Sequence, residues 1–217
     1  MENPVENYRR VRLERLKQAL EANNFEVHLT DDAAAARRVV LEQVLPAVRA
    51  GSVSWGGSMT LGATGLMDDF RQMDGIEVID PYEKGLSDTE KLERRRRALL
   101  ADLYLTGCNA VTEDGRLVNL DMIGNRVAAL TFGPRHVVVL VGANKLVADL
   151  EDAMWRIKEF AAPANAMRLD MKTPCAKTSV CEQCKSPQRI CNTWTITEKS
   201  FPGGRVKVVL INQVLGL

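Results

Sequence analysis

The chain has 217 residues, of which 46% are hydrophobic and 26% charged, and its formal net charge is +1. A chain of this length buries one sizeable core, and a near-neutral protein has no strong field for nucleic acid or acidic membranes, so we expect neither partner. No basic segment precedes an apolar run at the start, and no run approaches a membrane span, so we expect a cytoplasmic protein. Five cysteines in such a chain favour metal ligands or reactive thiols over a disulfide framework.

Helix and strand patterns alternate from the first residues onward. Residues 5–23 carry apolar side chains at helical spacing, and residues 25–29 alternate as a short strand. Residues 30–32 are typical of a helix N-terminus, and a helix follows at 33–50. Pro46 lies inside that helical pattern, so the helix is expected to kink or to end early.

The next strand, at 52–55, ends in a glycine-rich turn, Gly56-Gly57-Ser58-Met59-Thr60, that opens a helix. Glycines let a ligand approach the backbone, and N–H groups and the hydroxyls of Ser58 and Thr60 can donate to it. The turn therefore indicates a phosphate or carboxylate site. A tight strand-to-helix turn with Ser58 as the N-cap explains the same pattern equally well.

The elements that follow continue the alternation. They are strands at 76–80 and 136–142 and helices at 87–100 and 146–162. The strand at 136–142 is almost uninterrupted in β-branched residues, which is typical of the middle of a parallel sheet covered on both faces. Together these elements predict a three-layer α/β domain with a mainly parallel sheet, whose core spans residues 1–170.

A second polar group follows the strand predicted at 103–105, which ends at Thr106-Gly107. Asp114-Gly115 is typical of a hairpin turn, and residues 116–120 return as a second strand. Gly124-Asn125 then precedes a further helix. Because the carboxyl ends of parallel strands meet at one edge of a sheet, we expect Gly107 and Gly56-Gly57 to open on the same ligand-binding edge.

The tail has a different composition. It places Cys175, Cys181, Cys184 and Cys191 within 17 residues, among prolines and polar residues that are typical of a loop. Cys181-x-x-Cys184 has the spacing of a metal-ligand pair, and the other two cysteines could complete four sulfurs around zinc or an iron–sulfur cluster. The alternative is a loop of reduced thiols.

Beyond the cysteines, residues 193–197 and 205–214 predict two strands on either side of Phe201-Pro202-Gly203-Gly204. We expect them to form a closing β-hairpin that carries the cysteine loop. Residues 171–217 are therefore predicted as a small cysteine-containing unit that packs on the same domain.

Three stretches together resemble the LUD domain, the family of lactate utilisation protein C. They are the turn at residues 55–60, the hairpin at 107–115 and Gly124-Asn125-Arg126. Residues 173–192 are similar to a cysteine-rich ending found in a subset of that family, so the resemblance covers nearly the whole chain. It implies the fold shared by ribose-5-phosphate isomerase, glucosamine-6-phosphate deaminase and the coenzyme A transferases. In those relatives the turn after the early strand holds a phosphate or acyl group.

The resemblance assigns ligand binding to two walls of one pocket. The first wall is the early turn, with Gly56, Gly57, Ser58 and Thr60, and the second offers Gly107, Asn109, Glu113, Asp114, Asp121, Gly124 and Asn125. Lactate utilisation protein C is associated with two partners, at least one with iron–sulfur clusters, in oxidising L-lactate to pyruvate. The resemblance therefore implies a component of organic-acid oxidation with a small anionic ligand and iron–sulfur redox partners.

Two other functions stay open at this point, and the sequence does not decide whether the protein is an enzyme. A stand-alone isomerase or acyl or coenzyme A transferase would use Glu113 as base or nucleophile. A non-enzymatic redox or ligand sensor would use accessible thiols of low pKa. The order of glycines in the early turn lacks the G-x-G-x-x-G fingerprint, so no nucleotide cofactor is expected.

Overall fold

The computed structural model describes residues 3–217, which form two β-sheets flanked by helices. In chain order the strands are β1 (Glu26–Thr30), β2 (Ser52–Trp55), β3 (Glu77–Ile79), β4 (Leu103–Gly107), β5 (Ala110–Thr112), β6 (Leu117–Asp121), β7 (His136–Gly142), β8 (Leu146–Val147), β9 (Thr193–Thr197) and β10 (Val206–Ile211). The α-helices are α1 (Pro4–Ala22), α2 (Ala33–Arg38), α3 (Leu45–Val48), α4 (Met59–Gly62), α5 (Leu66–Arg71), α6 (Asp88–Arg97), α7 (Asn125–Thr131), α8 (Leu150–Arg156), α9 (Ala162–Arg168) and α10 (Cys175–Thr178). None of the helices in this part of the chain is long and apolar enough to cross a bilayer.

The main sheet has six strands in the order β1-β10-β7-β4-β2-β3, and every neighbouring pair is parallel. β7 is buried on both faces. Val137, Val139 and Val141 belong to one core cluster, whereas Val138 and Leu140 belong to another. This alternation places apolar layers on both sides of the sheet, so the predicted three-layer α/β fold is confirmed.

The second sheet is small and has the order β8-β5-β6-β9. β5 and β6 form the predicted antiparallel hairpin, and Gly115 occupies its turn with a φ of +85°. A residue with a side chain is strained at such a φ, which explains why Asp-Gly is the turn sequence here. The second strand of the hairpin, β6, ends at Asp121, close to the carboxyl edge of the main sheet.

Of two long predicted helices, one ends about where its sequence pattern indicates and the other begins later than predicted. The helix that begins at Ala33 passes through a π-helical segment (Val39–Val44) into α3 and ends at Val48, which agrees with an early end near Pro46. The helix predicted from residue 146 begins at Leu150 instead, because Leu146 and Val147 pair with β5. It then continues through a second π-helical segment (Ile157–Ala161) into α9.

The C-terminal strands are present, but the predicted hairpin between them is wrong. β9 pairs antiparallel with β6 in the small sheet, whereas β10 lies between β1 and β7 in the main sheet. Every residue of β10 is buried, with its apolar side chains in the core clusters on both faces of the main sheet, whereas a hairpin at the surface would leave one face in solvent. Residues 171–217 therefore contribute to both sheets.

Candidate functional site

The carboxyl ends of two neighbouring strands, β2 and β4, form the floor of a cleft. β2 leads into Gly56 and Gly57, and Ser58 caps α4 by accepting from the N–H of Leu61 at 3.2 Å. A Cβ on Gly107 at the end of β4 would lie 2.5 Å from Ser58 Oγ. Only glycine fits this close approach, so the two glycine-containing strand ends meet as the sequence predicts.

An inner pocket of about 60 Å³ opens between these strand ends. Its lining residues include three cationic side chains and no carboxylate side chain. They are Gly57, Ser58, Met59, Gly107, Cys108, Asn109, Arg126, Lys145, Ala161, Asn165, Arg168 and Leu217. Two of these cations, Lys145 and Arg168, have no carboxylate partner within residues 3–217, which makes the pocket electrostatically suited to an anion.

Lys145 is the deepest of these cations, with 4% of its surface exposed. Its ammonium donates to Thr60 Oγ1 at 2.8 Å and to the carbonyl of Cys108 at 2.9 Å. Within residues 3–217, no carboxylate pairs with it. Burial lowers the pKa of Lys145 to about 8, since an ammonium away from water and beside Arg156 and Arg126 is disfavoured.

Arg156 lies beneath the pocket and is also buried. It donates to the carbonyl of Asn109 at 2.6 Å and to the carbonyl of Asn144 at 3.2 Å. Burial lowers its pKa as well, although an arginine stays charged at any physiological pH. Lys145 and Arg156 are thus two buried cations that contact carbonyl groups, the Thr60 hydroxyl and the Phe160 ring but no carboxylate within residues 3–217, and such an arrangement is unfavourable unless a ligand supplies negative charge.

Arg126 connects the pocket to the hairpin. Its guanidinium pairs with Asp121 at 2.9 Å and also donates to the carbonyl of Leu120 at 3.2 Å. The side chains of Arg126 and Asp121 are 13% and 7% exposed, so this ion pair is largely withdrawn from solvent. Arg168, at the end of α9, is exposed and donates to Asn165 Oδ1 at 2.9 Å, which leaves it available at the pocket mouth.

A wider outer cleft of about 530 Å³ continues from the inner pocket and shares Gly57, Ser58, Met59, Arg126 and Arg168 with it. Its additional walls combine apolar and aromatic side chains with charged and polar ones: Met67, Tyr82, Met122, Ile123, Leu169 and Met171, together with Arg71, Arg95, Asp121 and Asn125. Methionine adapts to ligands of irregular shape. The site therefore combines a small cationic end with a larger entrance lined by both apolar side chains and arginines.

The structure brings most of the sequence-predicted ligand residues to this site. Gly56, Gly57, Ser58, Gly107, Asn109, Asp121 and Asn125 line one or both cavities. Thr60 lies behind the inner pocket, where its hydroxyl holds Lys145 and donates to the carbonyl of Leu215. Gly124 has a φ of +94° and starts α7, so it positions the adjacent Asn125 and Arg126 without lining either cavity.

Glu113 and Asp114 lie elsewhere, at the turn of the hairpin. Glu113 is exposed and pairs with Arg12 of α1 at 2.6 Å, in a separate groove that α1 borders. Asp114 accepts from the Thr112 hydroxyl and pairs with Arg116 at 2.9 Å. Because the turn is at the far end of β5 and β6, neither carboxylate lines the cleft, and Glu113 is not placed to act as its base or nucleophile.

The cysteine-bearing segment borders the outer cleft. The segment starts after Met171, a cleft residue, and Asn192 at its end donates to the carbonyl of Met122, another cleft residue, at 3.1 Å. Cys175, Cys181, Cys184 and Cys191 are all partly exposed free thiols. Between residues 3 and 217, no three His, Cys, Asp or Glu side chains are arranged to hold a metal ion, so the four-cysteine site stays a prediction.

Two residues of the site, Lys145 and Arg168, were not predicted from the sequence. Lys145 follows β7 by three residues and ends a short 3₁₀ turn (Ala143–Lys145). A lysine directly after the central strand of a parallel sheet lies at its ligand-binding edge, and that signal was available in the sequence. Arg168 reaches the cleft because α9 extends beyond the expected helix end, which no local pattern indicates.

Comparison with known proteins agrees with this architecture. The family model of the LUD domain matches residues 13–211. Among solved structures, the chain is similar to the crystal structure at 1.70 Å resolution of a DUF162 family protein from Deinococcus radiodurans, with 17% sequence identity and a TM-score of 0.51. The similarity covers 94% of this chain and 97% of that chain, and shows a shared fold. No curated protein matches the sequence significantly.

Proposed function

This chain belongs to the LUD domain family, and we propose that it is a component of organic-acid oxidation, such as L-lactate to pyruvate, that binds a small organic anion in the inner pocket. The observation that carries the proposal is the buried ammonium of Lys145, which lines a pocket with Arg126 and Arg168 and has no carboxylate partner within residues 3–217. The family relates the chain to lactate utilisation proteins. The pocket defines the chemistry of the ligand.

Electrostatics favours an anion in this pocket. A buried cation without a counter-ion destabilises the folded protein, as the lowered pKa of Lys145 reflects. A ligand carboxylate beside the ammonium would reverse this penalty, because charge-assisted hydrogen bonds are stronger in a partly desolvated site. Perturbed groups of this kind cluster at functional sites.

The size of the inner pocket restricts which part of a ligand can enter it. The inner pocket, at about 60 Å³, has room for a carboxylate and a few further atoms. L-Lactate and pyruvate are compatible with such a pocket, and the wider outer cleft would accept a longer acid. A phosphorylated acid is a further candidate because Ser58 and the Gly57 backbone lie at the same strand end.

A thermal-shift panel tests this proposal. Wild-type protein is heated with L-lactate, pyruvate, 3-phosphoglycerate or chloride at equal ionic strength. We expect at least one of the three acids to raise the melting temperature above chloride, since a ligand that binds only the folded state stabilises it. Lys145→Met should lose this response, whereas Lys17→Met, which changes a surface lysine of α1 paired with Glu21, should keep it. Absence of a response to all three acids overturns the proposal.

For the tail, we propose that Cys175, Cys181, Cys184 and Cys191 bind zinc or an iron–sulfur cluster. The partial exposure of all four thiols and the junction of their segment with the outer cleft support this. The test is metal and acid-labile sulfide content, with a visible spectrum, of protein purified without air. Iron with sulfide supports electron transfer with redox partners, and stoichiometric zinc supports a structural clamp. Metal-free protein overturns the metal site and favours free thiols.

A further inference from the structure

The position of Lys145 gives its side chain a chemical capacity beyond anion binding. We propose that Lys145 is a nucleophile that forms a covalent imine with the carbonyl carbon of a 2-oxo acid bound in the inner pocket. This inference rests on the proposed function, since it uses the same pocket. It adds a bond-forming step and restricts the reactive ligand to acids that carry a carbonyl group next to the carboxylate.

The contacts of Lys145 hold its nitrogen in place and leave it accessible to a ligand. Thr60 Oγ1 and the carbonyl of Cys108 accept from Nζ at 2.8 and 2.9 Å. These contacts use two of the three N–H positions of an ammonium. Residues 3–217 supply no third acceptor to this ammonium, and Lys145 lines the inner pocket, where a bound ligand would take that position. A nitrogen fixed in this way loses little freedom when it reacts.

The other cations of the pocket position the acid. Arg126 and Arg168 line the same cavity, and guanidinium groups match the geometry of carboxylates. In a 2-oxo acid the carbonyl carbon is bonded directly to the carboxylate carbon. A carboxylate held by these arginines therefore places the carbonyl carbon inside the small space that Lys145 lines.

The surroundings of Lys145 also favour the neutral, nucleophilic amine. The groups that face it are Cys108 after β4, Arg126 from α7 and Arg156 from α8, together with the hydroxyl of Thr60 from α4. Burial raises the pKa of the Cys108 thiol, so this neighbour supplies no negative charge at neutral pH. With burial and the two arginines lowering the pKa of Lys145 to about 8, about a tenth of the amine is neutral at pH 7, as in other desolvated nucleophilic lysines.

The proposed step is balanced without a further reactant. The lone pair of neutral Nζ attacks the carbonyl carbon and forms a C–N bond, while the electrons of the C=O bond move to oxygen. That oxygen then leaves as water with the two protons that Nζ loses, and a C=N bond remains. The imine withdraws electrons from the carbon on the other side of the former carbonyl, C3, whose proton becomes more acidic, which is the basis of the aldol chemistry of 2-oxo acids.

Borohydride trapping tests the imine. The full-length protein is mixed with pyruvate and sodium borohydride, which delivers hydride to the imine carbon and makes the bond permanent. Intact mass and peptide mapping should then show one reduced pyruvyl group per chain, on Lys145. The yield should rise from pH 6 to pH 9 as the amine loses its proton. L-Lactate, which has no carbonyl group, should give no adduct and should compete with pyruvate.

Variants and a parallel thermal-shift measurement distinguish failure of the imine proposal from failure of the proposed anion-binding function. Lys145→Arg keeps the charge and should abolish the adduct, whereas Lys17→Met should leave it unchanged. Should Lys145→Arg fail to fold, the peptide map of the wild type decides alone. Pyruvate that stabilises the wild type without an adduct on Lys145 overturns the imine and leaves the proposed function intact. Absence of both stabilisation and adduct overturns both, and equal labelling of surface lysines overturns the imine.

Discussion

Replacing Lys145 with methionine removes a buried charge while nearly conserving side-chain volume. The lysine pKa falls from its ordinary 10.5 to about 8 on folding, and each pKa unit corresponds to about 1.4 kcal/mol. At pH 7 the unliganded wild type therefore carries a penalty of about 3 kcal/mol that methionine avoids. The loss of the hydrogen bonds to Thr60 and Cys108 offsets about 1 kcal/mol of that gain. We expect Lys145→Met to be more stable than the wild type by about 1 to 3 kcal/mol at pH 7.

The difference in stability between Lys145→Met and the wild type should change with pH in a defined direction. Between pH 8 and pH 10.5 the unfolded chain keeps the lysine proton that the folded chain has already lost. The unfolded state binds more protons in this window, so the stability of the wild type rises with pH. Every other titrating group is common to both proteins. The advantage of Lys145→Met should therefore shrink by about 2 to 3 kcal/mol from pH 7 to pH 10.

Urea unfolding followed by circular dichroism at several pH values between 7 and 10 measures this difference. Lys17→Met is the matched control, and its stability relative to wild type should not change over that range. A difference between Lys145→Met and wild type that is constant with pH would refute the reasoning. So would a Lys145→Met protein that is less stable than wild type at pH 7.

Three further substitutions probe the site and its surroundings. Gly107→Ala places a Cβ against Ser58 Oγ, so it should destabilise the fold by about 1 to 3 kcal/mol and abolish the thermal shift by pyruvate. Arg126→Gln leaves the buried Asp121 carboxylate unpaired and should cost about 3 to 5 kcal/mol of unfolding free energy in urea. Glu113→Gln breaks only an exposed ion pair, so it should cost less than about 1 kcal/mol and preserve the thermal shift.

Each of these substitutions has an outcome that contradicts the structural account. If pyruvate raises the melting temperature of Gly107→Ala as much as that of the wild type, the ligand binds outside the inner pocket. An Arg126→Gln protein with wild-type stability would show that its ion pair does not hold the hairpin. Loss of the thermal shift by pyruvate in Glu113→Gln would show that Glu113 contributes to ligand binding.

Local patterns were sufficient to predict most of the elements. The apolar run of β7 and the helical stripe of α1 depend on residues close in sequence, and both occur close to where the patterns place them. The pairing of the last strands was wrong because it depends on distant partners. β10 joins β1 across about 180 residues, and only its largely apolar sequence, Val-Lys-Val-Val-Leu-Ile, indicated a strand buried on both faces.

The site was predictable where its residues stand directly at strand ends. Ser58 and Gly107 meet because β2 and β4 are parallel neighbours, which their glycine-containing ends suggested. Glu113 was placed wrongly in the cleft because closeness along a hairpin is not closeness in space: a turn residue lies at the opposite end of the strands. Lys145 carries no motif: its place after β7 indicates the ligand-binding edge, but its burial and the cations around it are defined only in the folded chain.

Calorimetric titration of pyruvate into wild type, Lys145→Met and Lys17→Met at pH 7 tests the central claim most directly, because it measures anion binding at the pocket without a stability assay. We expect saturable binding, with one pyruvate per chain, to the wild type and to Lys17→Met, and no measurable binding to Lys145→Met. Equal affinity of Lys145→Met and wild type would contradict the assignment of the inner pocket as the organic-anion site.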